Sequence, residues 1–397
     1  MNVRVKHYKK GSYIYLEQNN ALDDFFILQK GEIKITKFNA LKGDVEEVKT
    51  NGYIFGIKQC ITQIPEGERV EAYTDCDVII INKNQIEQLY TDSPKVILKI
   101  LSEYSEILRN LDMALLEKDL LLNFMRRDEV ILDIADQYIS INEPGIAAHL
   151  LQSYVNEKPE NITNLDKAKE KLKDLPETKV YKTDQAFDNK LFTPNQVIFV
   201  EMEQGDSFYM IRTGKVKITN IRKGKQVLIA VLNEGSIFGE MAILNNKPRN
   251  ATAIADSLCE VSIINKKSIG NLPASLFYNI LEHLTHRIWM TEKILFCMDL
   301  HNPVARAYYL LAAKVKQNVK KNDMINSGYV FHYKSTLEEL YNMANITDAQ
   351  KDLMYEFEKD ENIQIYDNTI KIRNIKVLFD KSSFYLSRST IKQKSHK

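Results

Sequence analysis

The sequence predicts an α+β protein: two β-roll barrels with flanking helices, a helical linker between them, and a C-terminal domain of helices closed by a β-hairpin. Three observations carry that prediction. A long internal repeat consists of short alternating strands parted by glycine turns. A long helical stripe of apolar residues follows each copy. The last hundred residues run helix, turn, helix, hairpin. At 397 residues, with 44% apolar and 27% charged side chains, the chain can fill two to three domains, each with its own core.

The first barrel is read from residues 24–35 (DFFILQKGEIKI), 52–56 (GYIFG) and 72–78 (AYTDCDV). The second repeats them as 207–218 (SFYMIRTGKVKI), 235–239 (GSIFG) and 255–261 (ADSLCEV). In each, an apolar run ends in a glycine and an alternating strand follows, so the turn calls for positive φ.

The second copy alone carries a further constellation, 238–244 (FGEMAIL) followed by 248–252 (PRNAT). Gly239 turns the chain into a short apolar helix. The backbone N–H groups of Glu240, Met241 and Ala242 at a helix start favour an anion. Arg249 offers a planar fork for phosphate oxygens, and Glu240 offers an acceptor for a sugar hydroxyl. Pro248 has no N–H to satisfy and stiffens the approach to Arg249. That set can hold a ribose fused to a cyclic phosphate.

This stretch resembles the phosphate-binding cassette of cyclic-nucleotide-binding domains. The resemblance implies a ligand site at Gly239, Glu240, Met241, Ala242, Arg249, Asn250 and Ala251. In that family a threonine or serine directly after the arginine assists guanine recognition, while alanine is common with adenine. Asn250 is neither, and its amide can both donate and accept. The expected ligand is cAMP first and cGMP second. In the first copy Ile57 stands where Glu240 stands, and Glu66 where Arg249 stands. An acid there repels phosphate, and Arg69 is three residues out of register, so barrel one is expected to bind no cyclic nucleotide.

Pro94 opens a helix with Ile97, Ile100, Leu101, Tyr104, Leu108, Leu111 and Leu115 on one stripe, read as the helix leaving barrel one. Residues 129–175 read as two or three shorter helices. Ala135, Tyr138, Ala147, Leu150 and Pro159 resemble one tetratricopeptide unit, which cannot bury its face alone. Pro176 marks the entry to barrel two. Residues 276–299 read as one long helix containing the only tryptophan, Trp289. The family resemblance places Met290 and Thr291 of this helix at the base, while Trp289 is expected in the core.

Pro303 suits a helix start, followed by a helix over 304–317, a second begun by Ser335 or Thr336, a third over 348–361, and a hairpin over 363–372. In this order the elements resemble the C-terminal winged helix of the CRP/FNR transcription factors. The third helix would be the reading helix. Its acids are Asp348, Asp352, Glu356, Glu358, Asp360 and Glu361, against Lys351 and Lys359. Acids repel the phosphate backbone, so DNA binding is the less favoured output. The basic stretch after Arg373, with Lys376, Lys381, Arg388, Lys392, Lys394 and Lys397, is expected to be a solvated tail. The resulting division is 1–125 (degenerate barrel and exit helix), 126–180 (helical linker), 181–300 (ligand-binding barrel and lid helix), 301–380 (winged-helix-like domain) and 381–397 (basic tail).

Net charge of +1 gives no bulk electrostatic case for nucleic acid or membrane. No run suits a membrane span and no apolar leader follows Met1, so a cytoplasmic location is expected. Cys60, Cys76, Cys259 and Cys297 form no Cys-x-x-Cys pair, so reduced buried thiols are expected, with no metal or cofactor. Seven histidines show no catalytic spacing, and no enzyme is expected. The sequence thus points to a cytoplasmic cyclic-nucleotide sensor whose second barrel repositions the C-terminal domain towards an unidentified protein partner. The alternatives are a CRP/FNR-type transcription factor that binds DNA and an interaction scaffold with a relict pocket. The long apolar helix after each barrel suits a homodimer contact; an internal pairing of the two barrels would use the same faces.

Overall fold

The computed structural model describes residues 4–16, 22–39, 43–117, 127–181, 185, 187–222, 224–319 and 329–394. Barrel one consists of β1 (Arg4–Tyr8), β2 (Tyr13–Leu16), β3 (Asp24–Lys30), β4 (Ile33–Asn39), β5 (Gly43–Lys49), β6 (Ile54–Phe55), β7 (Arg69–Ala72) and β8 (Cys76–Asn82). They form two antiparallel sheets, β1-β8-β3-β6 and β2-β7-β4-β5, with the short helix α1 (Ile57–Thr62) between β6 and β7 in sequence and α2 (Ile86–Asp92) after β8. Barrel two consists of β9 (Phe187–Phe192), β10 (Val197–Phe199), β11 (Ser207–Thr213), β12 (Val216–Arg222), β13 (Lys225–Leu232), β14 (Ile237–Phe238), β15 (Thr252–Ala255) and β16 (Cys259–Asn265). Its sheets, β9-β16-β11-β14 and β10-β15-β12-β13, repeat the first pair strand for strand.

The repeated glycine is required at both turns. Gly31 has φ +97° and Gly214 φ +83°, and a Cβ would stand 2.4 Å from Asp75 O in the first and 2.3 Å from Leu258 O in the second. An aromatic triad fills each barrel: Tyr15, Phe26 and Phe55 with ring centroids 5.2–6.2 Å apart, and Phe199, Tyr209 and Phe238 at 5.1–5.9 Å.

The chain forms two compact units, one of Met1–Gln88 with Leu284–Lys397, the other of Leu89–His283. These do not follow the division expected from the sequence. Helix α3 (Pro94–Glu117), expected as the exit helix of barrel one, buries Ile97, Ile100, Leu101 and Leu108 of its stripe and belongs to the unit of barrel two. The expected boundary at 125/126 lies outside the described residues. The linker is three helices, α4 (Arg127–Ser140), α5 (Pro144–Glu157) and α6 (Ile162–Leu172). Ile131, Ala135, Tyr138, Leu150 and Tyr154 are fully buried there, clustered with Val200, Ile221 and Ile254 of barrel two. The long helix α8 (Ala274–Met298) starts in this unit; its residues from Leu284 onward belong to the other.

In the C-terminal domain α9 (Pro303–Asn318) has Pro303 in its first turn and Asn302 as cap, the Asn302 side chain accepting from Val304 N at 2.9 Å. Helix α10 (Leu337–Met343) opens on a capping box: Thr336 accepts from Glu339 N at 3.0 Å, and Glu339 accepts from Thr336 N at 3.1 Å. Strands β17 (Phe331–Tyr333), β18 (Ile363–Tyr366) and β19 (Thr369–Ile372) form one sheet in the order β17-β19-β18. Two expectations are corrected. The segment 348–361 is not one regular helix but a 3₁₀ stretch, Asp348–Met354, and one short helical turn, α11 (Tyr355–Glu358). Only Met354 and Phe357 are buried apolar anchors there, too few to impose a 3.6-residue period. Nor is the C-terminal stretch a frayed tail. Residues Ile375–Lys394 form a helix, α12, that buries Ile375, Leu378 and Tyr385 in the domain core. Tyr385 stacks on Tyr308 of α9 at 5.0 Å. Lys397 lies outside the described residues.

Candidate functional site

The site in barrel two is built on Gly239. With φ +76° it caps the five-residue helix α7 (Glu240–Leu244), and a Cβ there would meet Arg249 Nη1 at 2.7 Å and the rings of Phe199 and Tyr209. Gly205 is equally forced: its Cβ would lie 2.7 Å from Ala242 Cβ and 2.8 Å from Arg249 Cζ. The two glycines leave room for one guanidinium. Arg249 is 3% exposed. Its Nη1 donates to Gly239 O at 2.5 Å and its Nη2 to Ser207 O at 2.6 Å, while the guanidinium lies 4.2 Å over the Phe199 ring. Its Nε is buried and makes no hydrogen bond. Glu240, 1% exposed, stands in the first turn of α7 and lines a small apolar cavity with Leu101, Phe208, Ile243, Phe277 and Ile280. Met241, Ala242 and Ala251 are buried beside it. The structure therefore brings together Gly239, Glu240, Met241, Ala242, Arg249, Asn250 and Ala251. A buried arginine bonded to the glycine that precedes a buried glutamate carries a desolvation cost that a purely structural turn has no need of.

Sequence reasoning missed the supports. Arg249 N donates to Glu203 O and its own O accepts from Met202 N, both at 2.8 Å, so the 200–205 loop fixes the arginine backbone. Glu203 accepts from Val200 N at 2.9 Å and lies 3.5 Å from Nε2 of His149 on α5. Burial alone would raise the Glu203 carboxyl, but His149, the Val200 amide and Arg249 outweigh it and hold it below the usual carboxylate range. Glu201 accepts from Tyr138 Oη at 3.0 Å and from Ile221 N at 2.8 Å; Arg127 Nε donates to Met202 O at 2.9 Å. The helical linker is thus fastened to the loop under the arginine. The readable signal was the pair Glu201 and Glu203 just before Gly205, acids in an otherwise apolar stretch.

Helix α3 supplies a second clamp through one polar row. Ser102 Oγ reaches Leu244 O at 3.4 Å, Glu106 pairs with Lys247 at 2.6 Å, Arg109 donates to Pro248 O at 3.0 Å, and Asp112 accepts from Asn250 Nδ2 at 3.0 Å. Asn250, expected beside the purine, holds α3 here.

Met290 and Thr291 belong to the other unit. Met290 is packed with Trp289, Tyr308 and Leu311 in its apolar core, and Thr291 is buried. Trp289, 1% exposed, is a core residue. Its indole Nε1 donates to Glu66 at 2.5 Å, and Lys293 donates to the same carboxylate at 2.9 Å. Lys58 lies 3.5 Å from Glu66 and 2.6 Å from Glu292. Burial pushes the Glu66 carboxyl up, yet Lys58, Lys293 and the indole bring it down to about 2. Burial likewise opposes the charge on Lys58, but Glu292 and Glu66 raise it above the ordinary lysine value. The position matching Arg249 in barrel one is therefore taken up by an ion network from α8, and Ile57 is buried. Arg69 is turned to Asp44 at 2.8 Å. Among the described residues no group of three or more His, Cys, Asp or Glu side chains could hold a metal, and no helix is long and apolar enough to cross a membrane.

Residues 5–93 and 189–275 each match the family described as cyclic nucleotide-binding domain. A stretch of 113 residues is 32% identical to a cAMP-dependent protein kinase regulatory subunit of Yarrowia lipolytica, covering 28% of each chain. A stretch of 138 residues is 25% identical to human cGMP-dependent protein kinase 2, covering 34% of this chain and 18% of that one. The matched stretches thus span less than a third of either relative. The cAMP-bound regulatory domain of Toxoplasma gondii PKA aligns with 69% of this chain and 82% of its own length, at 19% identity and a TM-score of 0.22. With the strand orders of the two barrels repeated and a family match on each, the chain carries the cyclic nucleotide-binding domain in two copies.

Proposed function

We infer that the protein is a regulatory sensor of a cyclic nucleotide, cAMP first and cGMP second, bound once per chain by barrel two. The observation that carries this is the placement of Glu240 and Arg249, both buried, around one glycine-capped turn, with Ile57 and Glu66 in the same places of barrel one. A cyclic phosphate replaces Gly239 O and Ser207 O as acceptor for Arg249, and Nε supplies a further donor. Glu240 takes the ribose hydroxyl. The relatives, one named for cAMP and one for cGMP, support this ligand class.

The signal leaves through the elements fastened to the cassette: α3 through Asp112 and Asn250, the linker through Glu203 and His149, and α8. The output is the C-terminal domain, read as winged-helix-like, acting by protein contact in the cytoplasm and catalysing no reaction. The exposed acids Asp348, Asp352, Glu356 and Glu358 on its 348–361 segment speak for a protein surface rather than DNA.

The test is calorimetric titration of the full chain with cAMP and with cGMP. One site per chain is expected, and Arg249→Ala, checked for an intact fold by circular dichroism, should weaken binding about ten- to a hundredfold, the worth of a charge-assisted pair of roughly 1.5–3 kcal/mol. No heat with either nucleotide on folded protein overturns the reading.

A further inference from the structure

The two barrels act as controls for one another at the strand that ends the second sheet of each. In barrel one this is β5, whose two exposed valines, Val45 and Val48, are flanked by Asp44, Glu46, Glu47 and Lys49. Arg69 pairs with Asp44 at 2.8 Å, Lys49 with Glu47 at 2.8 Å and Lys34 with Glu46 at 3.6 Å. A charged edge of this kind keeps other chains off. In barrel two the same position is β13, with sequence KQVLIAVL and Lys225 as its sole charge. It hydrogen-bonds β12 on one side and no other strand among the described residues. Thr219 pairs with Leu228 and Ile218 with Ala230, which leaves Ile229 as a bulge. Val227, Leu228, Ile229 and Val231 are 36–46% exposed. By register Leu228 and Val231 lie on the face of Thr219 and Lys217, Val227 lies on the opposite face with Asn220, and Ile229 stands at the bulge; four exposed apolar side chains on one strand are the composition that marks an interaction surface.

We propose that this patch is a homodimer interface, in which β13 of one chain packs on β13 of a second copy, antiparallel about a twofold axis near Ile229. The bulge blunts the strand edge against simple addition of an extended foreign segment, whereas packing of Leu228, Ile229 and Val231 needs no hydrogen bonds at that edge. The charges are self-complementary. Lys225 opens the run and Glu234 follows it, both exposed, so an antiparallel second copy sets each lysine towards the other chain's glutamate. An apolar centre with charged ends is the composition of a specific interface. The inference stands independently of nucleotide binding.

Sedimentation velocity of the full chain over a concentration series, without nucleotide, tests it. The expected result is a monomer–dimer equilibrium whose dissociation constant rises at least about tenfold in Ile229→Lys and in Leu228→Glu. Both sites are exposed, so circular dichroism should match the parent. Lys225→Glu and Glu234→Lys should each weaken the dimer, and the two together should restore it. A parent chain that is monomeric throughout overturns the proposal. So does a dimer indifferent to Ile229→Lys, or a charge-swapped pair as weak as its single variants.

Discussion

Replacing Glu66 by Gln keeps an acceptor for the Trp289 indole and removes the charge that Lys293 and Lys58 face. The cost follows from proton linkage. A carboxyl moved from its ordinary 4.5 down to about 2 on folding stabilises the folded form by about 3 kcal/mol at neutral pH. Its side chain is only 16% exposed, so solvent screening takes away little. Lys58 retains Glu292, which offsets part of the loss. Glu66→Gln should therefore destabilise the first unit by about 2–3 kcal/mol, a urea midpoint lower by roughly 1–2 M. Trp289 is the chain's single tryptophan and bonds Glu66 directly, so its fluorescence reports unfolding around Glu66. The pH dependence has a defined sign. The folded value lies below the ordinary one, so the difference between parent and Glu66→Gln is complete above about 4.5 and disappears as pH falls towards about 2. Overlapping unfolding curves at neutral pH, or a difference that persists unchanged into acid, would refute the network as a source of stability.

Gly205→Ala should lower the melting temperature of the second unit by a loss of about 1–3 kcal/mol, because its Cβ would stand 2.8 Å from Arg249 Cζ; the same variant should weaken nucleotide binding in calorimetry. Asp360→Ala should cost about 2–4 kcal/mol by thermal melting. It removes a buried acceptor shared by Tyr308 at 2.5 Å, Lys381 at 2.6 Å and Asn362 N at 2.9 Å. Glu106→Ala should change thermal stability by under about 0.5 kcal/mol, since both it and Lys247 are about 40% exposed or more.

The strand repeat was legible because glycine at positive φ and two-residue alternation leave direct marks in sequence, as at Gly31 and Gly214. The cassette was legible for the same reason: Gly239, Glu240 and Arg249 are residue types that few other turns need together. Which barrel a long helix covers was not. The α3 stripe of Ile97, Ile100, Leu101 and Leu108 would bury equally well on either, since apolar burial carries no direction. The row Ser102, Glu106, Arg109 and Asp112 makes the choice, and its partners lie about 140 residues ahead. Glu66 showed by sequence what barrel one had lost. What it gained, the indole and ammonium of Trp289 and Lys293, depends on a contact 223 and 227 residues away. The segment 348–361 was misjudged because its acids and exposed Leu353 and Tyr355 mimic the composition of a helix without supplying a buried face.

The arrangement of the units has a consequence for biosynthesis. Leu89–His283 is continuous, whereas Met1–Gln88 is completed only by Leu284–Lys397. On the ribosome barrel two can close as soon as its own segment emerges. Barrel one, made first, must wait for Trp289 and Lys293 to cover Glu66, an interval of roughly ten to forty seconds at ordinary elongation rates. During that interval Glu66 and Lys58 have only each other and water as partners, and the stability that Trp289 and Lys293 confer on barrel one is still to come.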